Sequence, residues 1–198
     1  MRTNPSYTVK EAAVLAGLSE RTIRNEIDRG VIHVGRKPKG RAVAVALPKG
    51  AVLYFRLMKD MPVRLTQKDR GALYRLLSSK VRKVGDWHIE HDTLRRGILA
   101  LDTKSIWNDL DDSLRVYEAG LKKVVSHPET LGGEPVFAGT RIPIRHVGKL
   151  ASRGIRVSEI KSDYPSLSDD DIAFAAVFSR MKPSPGRPSK LRFRREAA

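Results

Sequence analysis

Glycines and prolines lie so close together in residues 127–143 that this stretch limits the fold more than any other. They are Pro128, Gly132, Gly133, Pro135, Gly139 and Pro143. Because proline lacks an N–H and clashes with the preceding helical turn, no helix can form before Thr140. The pattern predicts turns at Gly132-Gly133 and Gly139, with a short strand at 135–137 between them. Pro143 is expected in the first turn of the helix that follows.

Three short helices are predicted after this stretch. The first is ended by Gly154, the second spans Val157–Asp163, and Ser168 caps the third. Aspartates 169–171 fall in the first turn of the third helix, where the helix dipole favours anions. An acidic start disfavours DNA contact, so dimerisation or packing is favoured for this module, and a second DNA-reading role remains as the alternative.

The run from Gly133 to Pro143 resembles the signature of a short domain, without an assigned function, that recurs in bacterial VapB-type antitoxins. The resemblance extends over roughly residues 121–181, and the three helices resemble a homeodomain-like fold. It implies an antitoxin that binds DNA and associates with a PIN-type ribonuclease toxin.

The formal net charge of +16 predicts attraction to polyanions, above all nucleic acid. Residues 1–58 contain 11 Lys and Arg against four Asp and Glu, and residues 180–198 contain seven against one. The positive charge is therefore concentrated at both ends. With no cysteine and no apolar run near the roughly 20 residues of a membrane span, the chain is expected to be cytoplasmic, without membrane association.

The first thirty residues predict a helix-turn-helix. Thr8 and Glu11 have the spacing of a capping box, and Gly17 ends the first helix. Ser19 caps a second helix, in which Ile23 and Ile27 lie on the buried side. This helix is expected to end near Arg29, before Gly30.

Two extended segments are predicted next, Val31–Gly35 and Arg41–Leu47, with a hairpin tip at residues 36–40. Leu-Ser-Glu-Arg-Thr-Ile-Arg (18–24), followed by Gly-Val-Ile (30–32), resembles the winged helix-turn-helix of MerR-type regulators and phage excisionases. This resemblance covers about 55 residues.

Side chains suited to DNA lie on the second helix and on the predicted wing. Arginine forms bidentate bonds to guanine and asparagine to adenine, while wing cations meet phosphate. The residues expected in the groove are Arg21, Thr22, Arg24 and Asn25, and those expected on the backbone are Arg36, Lys37, Lys39 and Arg41. The alternative is a solvated helix face and a charged loop with no ligand.

The middle of the chain predicts mixed structure. A helix begins at Leu65-Thr66 with an apolar stripe, Trp87–His91 and Ile98–Leu101 are expected to pair as strands, and a further helix spans 104–117. His88 and Glu90 share a face of the first strand, which admits a metal or acid/base site. Because the segment lacks a second pair of ligands, exposed polar residues on an edge strand are the favoured interpretation. Asp109, Asp111 and Asp112 are likewise expected to be solvated.

Residues 182–190 contain three prolines and a glycine, which exclude a helix and predict a linker. Beyond them, apolar and basic residues alternate in Leu191, Arg192, Phe193, Arg194 and Arg195. The VapB resemblance implies that such a tail lies in a groove of the toxin and directs an arginine at its magnesium-binding carboxylates. The alternative is a frayed basic terminus that only assists DNA binding.

The sequence thus predicts a helix-dominated α+β fold: a winged helix-turn-helix (1–60), a mixed segment (61–120), a helical module (121–181) and a basic tail (182–198). The expected function is a homodimeric antitoxin that represses its own operon and neutralises a PIN-domain ribonuclease toxin, with no enzymatic activity and no cofactor. Two hypotheses compete with it: a MerR- or excisionase-like regulator without a toxin, and a metal-dependent nuclease using the region around His88–Asp92.

Overall fold

A computed structural model of the chain describes residues 6–39, 42–79, 81–126 and 131–181, with the side chains of 36–39 and 42–44 left out. The fold is α+β and dominated by helices, as the sequence predicts. Contacts between residues divide the chain into two compact units, Met1–Ala119 and Gly120–Ala198. No helix in the described part of the chain has both the length and the apolar character needed to cross a bilayer.

The first unit combines helices with two antiparallel sheets. Its elements begin with β1 (Ser6–Tyr7), α1 (Val9–Ala16), α2 (Glu20–Asp28), β2 (Gly35–Lys39) and β3 (Ala42–Pro48). They continue with α3 (Lys49–Lys59), α4 (Gln67–Ser78), β4 (Lys83–Val84), β5 (Trp87–Glu90), β6 (Thr93–Arg96), β7 (Leu99–Asp102) and α5 (Lys104–Lys122), whose end belongs to the second unit. One sheet has the order β1-β3-β2 and the other β4-β5-β6-β7.

Local signals place the first two helices as predicted. The Thr8 side chain accepts from the Glu11 N–H at 3.2 Å, and the Glu11 carboxylate accepts from the Thr8 N–H at 2.7 Å, which completes the capping box. Gly17 takes the left-handed conformation, φ 69°, that ends α1. Ser19 then caps α2 through the N–H of Thr22. A tight glycine turn between two helices makes the helix-turn-helix.

The predicted wing is correct in type and wrong in register. The first strand was expected at 31–35 with its tip at 36–40, but β2 spans Gly35–Lys39 and pairs with Ala42–Ala46. Only residues 40 and 41 separate the strands. Val31 and Ile32 are instead buried in the core. Pro38 was expected to mark the turn, yet it lies inside β2, which is an edge strand and therefore tolerates the missing N–H.

The prediction that Trp87–His91 pairs with Ile98–Leu101 is wrong, because β6 lies between them and pairs with both β5 and β7. The tight turn before β6 consists of His91 and Asp92, with φ of 44° and 65°. Two consecutive residues with positive φ make the turn that suits a two-residue hairpin. This turn was not predicted from the sequence, because a residue with positive φ is usually glycine and neither of these two is.

The buried side chains described in the first unit form one hydrophobic core. Helices α1 to α4 and the second sheet all contribute side chains to it, and the largest fully buried ones are Ile23, Tyr54, Phe55, Leu73, Trp87 and Leu94. The core is thus common to the predicted 1–60 and 61–120 segments. Their separation into two domains stays a prediction.

The second unit contains the predicted module. Its elements are β8 (Val124–Val125), a 3-10 turn (Leu131–Gly133), β9 (Val136–Phe137), α6 (Ile144–Ser152), α7 (Val157–Asp163) and α8 (Asp169–Met181). Strands β8 and β9 pair antiparallel. At Gly148, an added Cβ would lie 2.3 Å from the Ala175 carbonyl oxygen, so glycine allows α6 and α8 to pack closely. Helix α5, predicted to end at Tyr117, runs on to Lys122, where Gly120 leaves room for the Phe174 ring.

Candidate nucleic-acid interface

Helix α2 divides its side chains sharply between solvent and core. Arg21, Thr22, Arg24 and Asn25 are all exposed, whereas Ile23 is fully buried. The four residues predicted to enter a DNA groove therefore share the solvent face of one helix. This placement follows from the 3.6-residue repeat, because Ile23 anchors the opposite face.

The exposed groups differ in how far they are already engaged. Arg24 lies 3.5 Å from Glu20, one turn earlier, with both side chains largely exposed, so the pair is weak and open to competition by an anion. The Thr22 hydroxyl bonds the Ser19 hydroxyl at 2.9 Å as part of the helix cap. The side chains of Arg21 and Asn25 have no partner among the described residues, which leaves them available to a ligand.

On the inner side of α2, Glu26 is only 8% exposed and holds the helix in place. Its carboxylate accepts a hydrogen bond from the Tyr54 hydroxyl at 2.9 Å and pairs with the Arg70 guanidinium. Burial, followed by the negative charge of Glu26, raises the pKa of Tyr54 well above its usual value, so the hydroxyl remains a donor. Helix α2 is thereby joined to both α3 and α4.

Helix α4 also holds the chain that leaves α2. The Gln67 amide donates to the Arg29 carbonyl oxygen at 2.7 Å, and the Tyr74 hydroxyl donates to the His33 carbonyl oxygen at 2.7 Å. This role of the middle segment was not predicted from the sequence. A signal was present, because Glu26 is three residues from Ile23 on the buried stripe, where a carboxylate requires a partner.

Two further cations lie beside the turn of the helix-turn-helix. A Cβ added at Gly17 would meet the Lys59 Nζ at 2.9 Å and the Arg56 Nη1 at 3.6 Å. Both side chains come from the last turn of α3. They were not among the predicted DNA contacts, since only the fold brings the end of α3 to this turn.

The structure tests the predicted wing contacts only in part. Arg36, Lys37 and Lys39 belong to β2, not to a hairpin tip, and their side chains lie outside the described residues. Arg41 lies outside them entirely, as do Leu191, Arg192, Phe193, Arg194 and Arg195 of the tail. Their roles stay predictions.

The residues weighed as a metal site are spread over a strand and a turn. His88 and Glu90 lie in β5, whereas His91 and Asp92 form the turn that follows. The expected edge strand is wrong, because β5 pairs with both β4 and β6. Glu90 pairs with Arg95 at 3.3 Å. Within the described ranges, no three histidine, aspartate or glutamate side chains come together as a metal site would require.

The acidic first turn of α8 is only partly a surface feature. Asp171 is 7% exposed and accepts hydrogen bonds from the Lys123 Nζ at 2.7 Å and the Ser168 N–H at 3.0 Å. Burial alone would raise the pKa of the Asp171 carboxyl, but these bonds hold it below its usual value. The prediction that residues 169–171 lie in the first turn of this helix is confirmed, and Asp171 additionally completes the helix cap with Ser168.

The chain is 25% identical over 189 residues to a protein of Sinorhizobium fredii (strain NBRC 101917 / NGR234) described as uncharacterized protein y4eO. The match covers 89% of this chain and 81% of that protein, so it extends well beyond the second unit. No solved structure matches the chain. Residues 124–179, which lie within the module predicted at 121–181, match the family described as protein of unknown function (DUF433) and are therefore a DUF433 domain.

Proposed function

We propose that this chain is an antitoxin that represses its own operon through α2 and neutralises a PIN-type ribonuclease toxin through its basic tail. The observation that carries the DNA-binding half is the solvent face of α2. This face presents Arg21, Arg24 and Asn25 together. The opposite face of the helix is held by the contacts of Glu26 with Tyr54 and Arg70, which we call the Glu26 anchor.

The chemistry of this face suits a major groove. Arginine can donate two hydrogen bonds to guanine, and asparagine can exchange two with adenine. Lys59 and Arg56 beside the turn, with the cations of β2, would meet the phosphates on either side. A net charge of +16 draws the protein to DNA over long range. Bacterial operators commonly pair two half-sites, and we therefore propose a homodimer.

The toxin-binding half has different support. It rests on the resemblance of the 133–143 run to VapB-type antitoxins, together with the alternating tail sequence. Leu191 and Phe193 would occupy an apolar groove, while Arg192, Arg194 or Arg195 would neutralise carboxylates that bind magnesium.

One observation favours the second candidate, a regulator without a toxin. Helix α2, its anchor and the wing all lie in the unit Met1–Ala119, which does not include the DUF433 domain. DNA binding through this unit would need neither that domain nor the tail.

Two measurements test the proposal. Binding of the purified chain to a duplex from upstream of its own gene should weaken as salt rises, and it should exceed binding to a shuffled duplex. The product of the adjacent gene should co-purify with the chain and lose its ribonuclease activity in the complex. DNA binding without such a partner would support the regulator instead.

Deletion of residues 183–198 tests the tail. We expect the truncated chain to lose the toxin while keeping its preference for operator DNA. A variant with Arg192, Arg194 and Arg195 changed to Gln separates charge from length. Toxin binding that survives both changes would contradict the proposed role of the tail.

A further inference from the structure

A cleft of about 420 Å³ lies directly beyond α2, between the segment that follows this helix and helix α4. One wall is formed by Gly30 and His33, and the other by Gln67, Lys68, Gly71 and Arg75. The cleft therefore joins the helix-turn-helix to the middle segment, for which the proposed function has no role.

The cleft is positively charged. His33, Lys68 and Arg75 line it, and no carboxylate belongs to its lining. Lys68 and Arg75 have no ion-pair partner within the described ranges. Asp69, the acidic residue next to Lys68, forms an ion pair with Arg96 at 2.7 Å instead. An anion in the cleft would meet cations that nothing else in the described chain neutralises.

The spacing along α4 makes the cleft concave. Lys68, Gly71 and Arg75 follow each other at intervals of three and four residues, so they lie on one stripe of the helix. Gly71 has no side chain, and this leaves a hollow between the two cations. An added Cβ at Gly71 would be 3.5 Å from the Val31 carbonyl oxygen, an ordinary contact, so packing does not require the glycine.

The walls of the cleft are fixed in place by hydrogen bonds. Gln67 bonds the Arg29 carbonyl oxygen, and Tyr74 bonds the carbonyl oxygen of His33. The same two bonds hold the chain at the end of α2. The position of the cleft is therefore fixed relative to the DNA-facing side of that helix.

We propose that this cleft receives a phosphate of the DNA backbone beside the groove that α2 enters. The proposal rests on the proposed DNA binding and extends its footprint to α4. Phosphate oxygens accept hydrogen bonds from lysine, arginine and histidine side chains, and such contacts position a protein without reading sequence. The middle segment then contributes affinity, while α2 contributes specificity.

The double variant Lys68→Gln/Arg75→Gln tests this directly. Each phosphate contact contributes about 0.9 to the slope of log affinity against log salt. We therefore expect the slope to become shallower by about 0.9, with equal losses of affinity for the upstream duplex and for a shuffled duplex. The matched control is Arg82→Gln/Lys83→Gln, which removes the same charge from exposed residues at β4.

A second variant, Gly71→Gln, fills the hollow without changing charge, and it should also reduce the slope. Circular dichroism confirms that each variant is folded. An unchanged slope in both cleft variants, an equal change in the Arg82/Lys83 control, or a loss confined to the upstream duplex would overturn the proposal. If the unaltered chain binds neither duplex, the proposed DNA binding itself fails. If the unaltered chain binds DNA but neither cleft variant changes the slope, only the phosphate contact in the cleft is refuted.

Discussion

The buried ion pair between Glu26 and Arg70, on the inner side of α2, leads to a prediction about the stability of the fold. The Glu26 and Arg70 side chains are 11% and 19% exposed, so neither charge can return fully to water when its partner is removed. Breaking a buried ion pair costs about 3–5 kcal/mol, and the residual exposure of both groups places this pair near 3 kcal/mol. Glu26→Leu and Arg70→Met should each lower the free energy of unfolding by that amount.

The double variant Glu26→Leu/Arg70→Met removes both charges together and leaves neither one stranded. It should cost no more than about 3 kcal/mol, far less than the sum of the single changes. Tyr54→Phe deletes one hydrogen bond to the carboxylate and should cost about 1.5 kcal/mol, since the Arg70 pair remains.

Urea unfolding followed by tryptophan fluorescence suits this measurement. Both tryptophans of the chain, Trp87 and Trp107, belong to the first unit, so their signal follows the unit that contains α2. Additive losses in the double variant, or a loss below about 1 kcal/mol for either single change, would refute the reasoning that the pair is a coupled, buried anchor.

Three further predictions concern packing and pH. Gly148→Ala should destabilise the packing of α6 on α8 by about 1–3 kcal/mol, seen as faster hydrogen exchange in both helices. Tyr7 and Tyr117 have raised pKa values because they are buried and bonded to Glu118 and Glu11. Their stabilisation is complete below about pH 10, the unfolded value, and is lost as the pH rises above it, so alkaline urea titrations should show falling stability. The pKa of Asp171 is lowered, so its contribution is present above about pH 4 and lost as the pH falls, a loss that Asp171→Asn should remove.

The packing prediction and the alkaline prediction each have a further control. Gly71→Ala places a methyl group in ordinary contact and should leave exchange unchanged or slower, which separates a clash from a general effect of alanine. Tyr7→Phe and Tyr117→Phe should flatten the alkaline loss. An alkaline titration that is the same in these variants as in the unaltered chain would contradict the assignment.

Local chemistry made the helix ends predictable from sequence. Thr8 with Glu11, Ser19 and Ser168 each bond within a few residues of themselves, and Gly17 needs only its own backbone conformation. For the same reason, the exposed face of α2 followed from the positions of Ile23 and Ile27. Features that depend only on residues close together in the sequence, such as helix ends and helix faces, could therefore be predicted before the fold was known.

Features that depend on residues far apart in the sequence could not be predicted in this way. The register of β2 is set by pairing with β3, and Pro38 is tolerated only because that strand is an edge. The turn at His91-Asp92 lacks the usual glycine. The partners of Glu26 come from two helices 28 and 44 residues further along the chain, so no feature close to Glu26 in the sequence identified them.

The proposal that the solvent face of α2 reads DNA sequence is tested by comparing affinities for two duplexes. The affinities of the chain for its upstream duplex and for a shuffled duplex are compared with those of Arg21→Gln/Asn25→Ala and of the Arg82→Gln/Lys83→Gln control. A good bidentate contact discriminates by about 1–3 kcal/mol, so the α2 variant should lose most of its preference for the upstream duplex while the control keeps it. An α2 variant that retains the full preference for the upstream duplex would contradict the proposed role of this face.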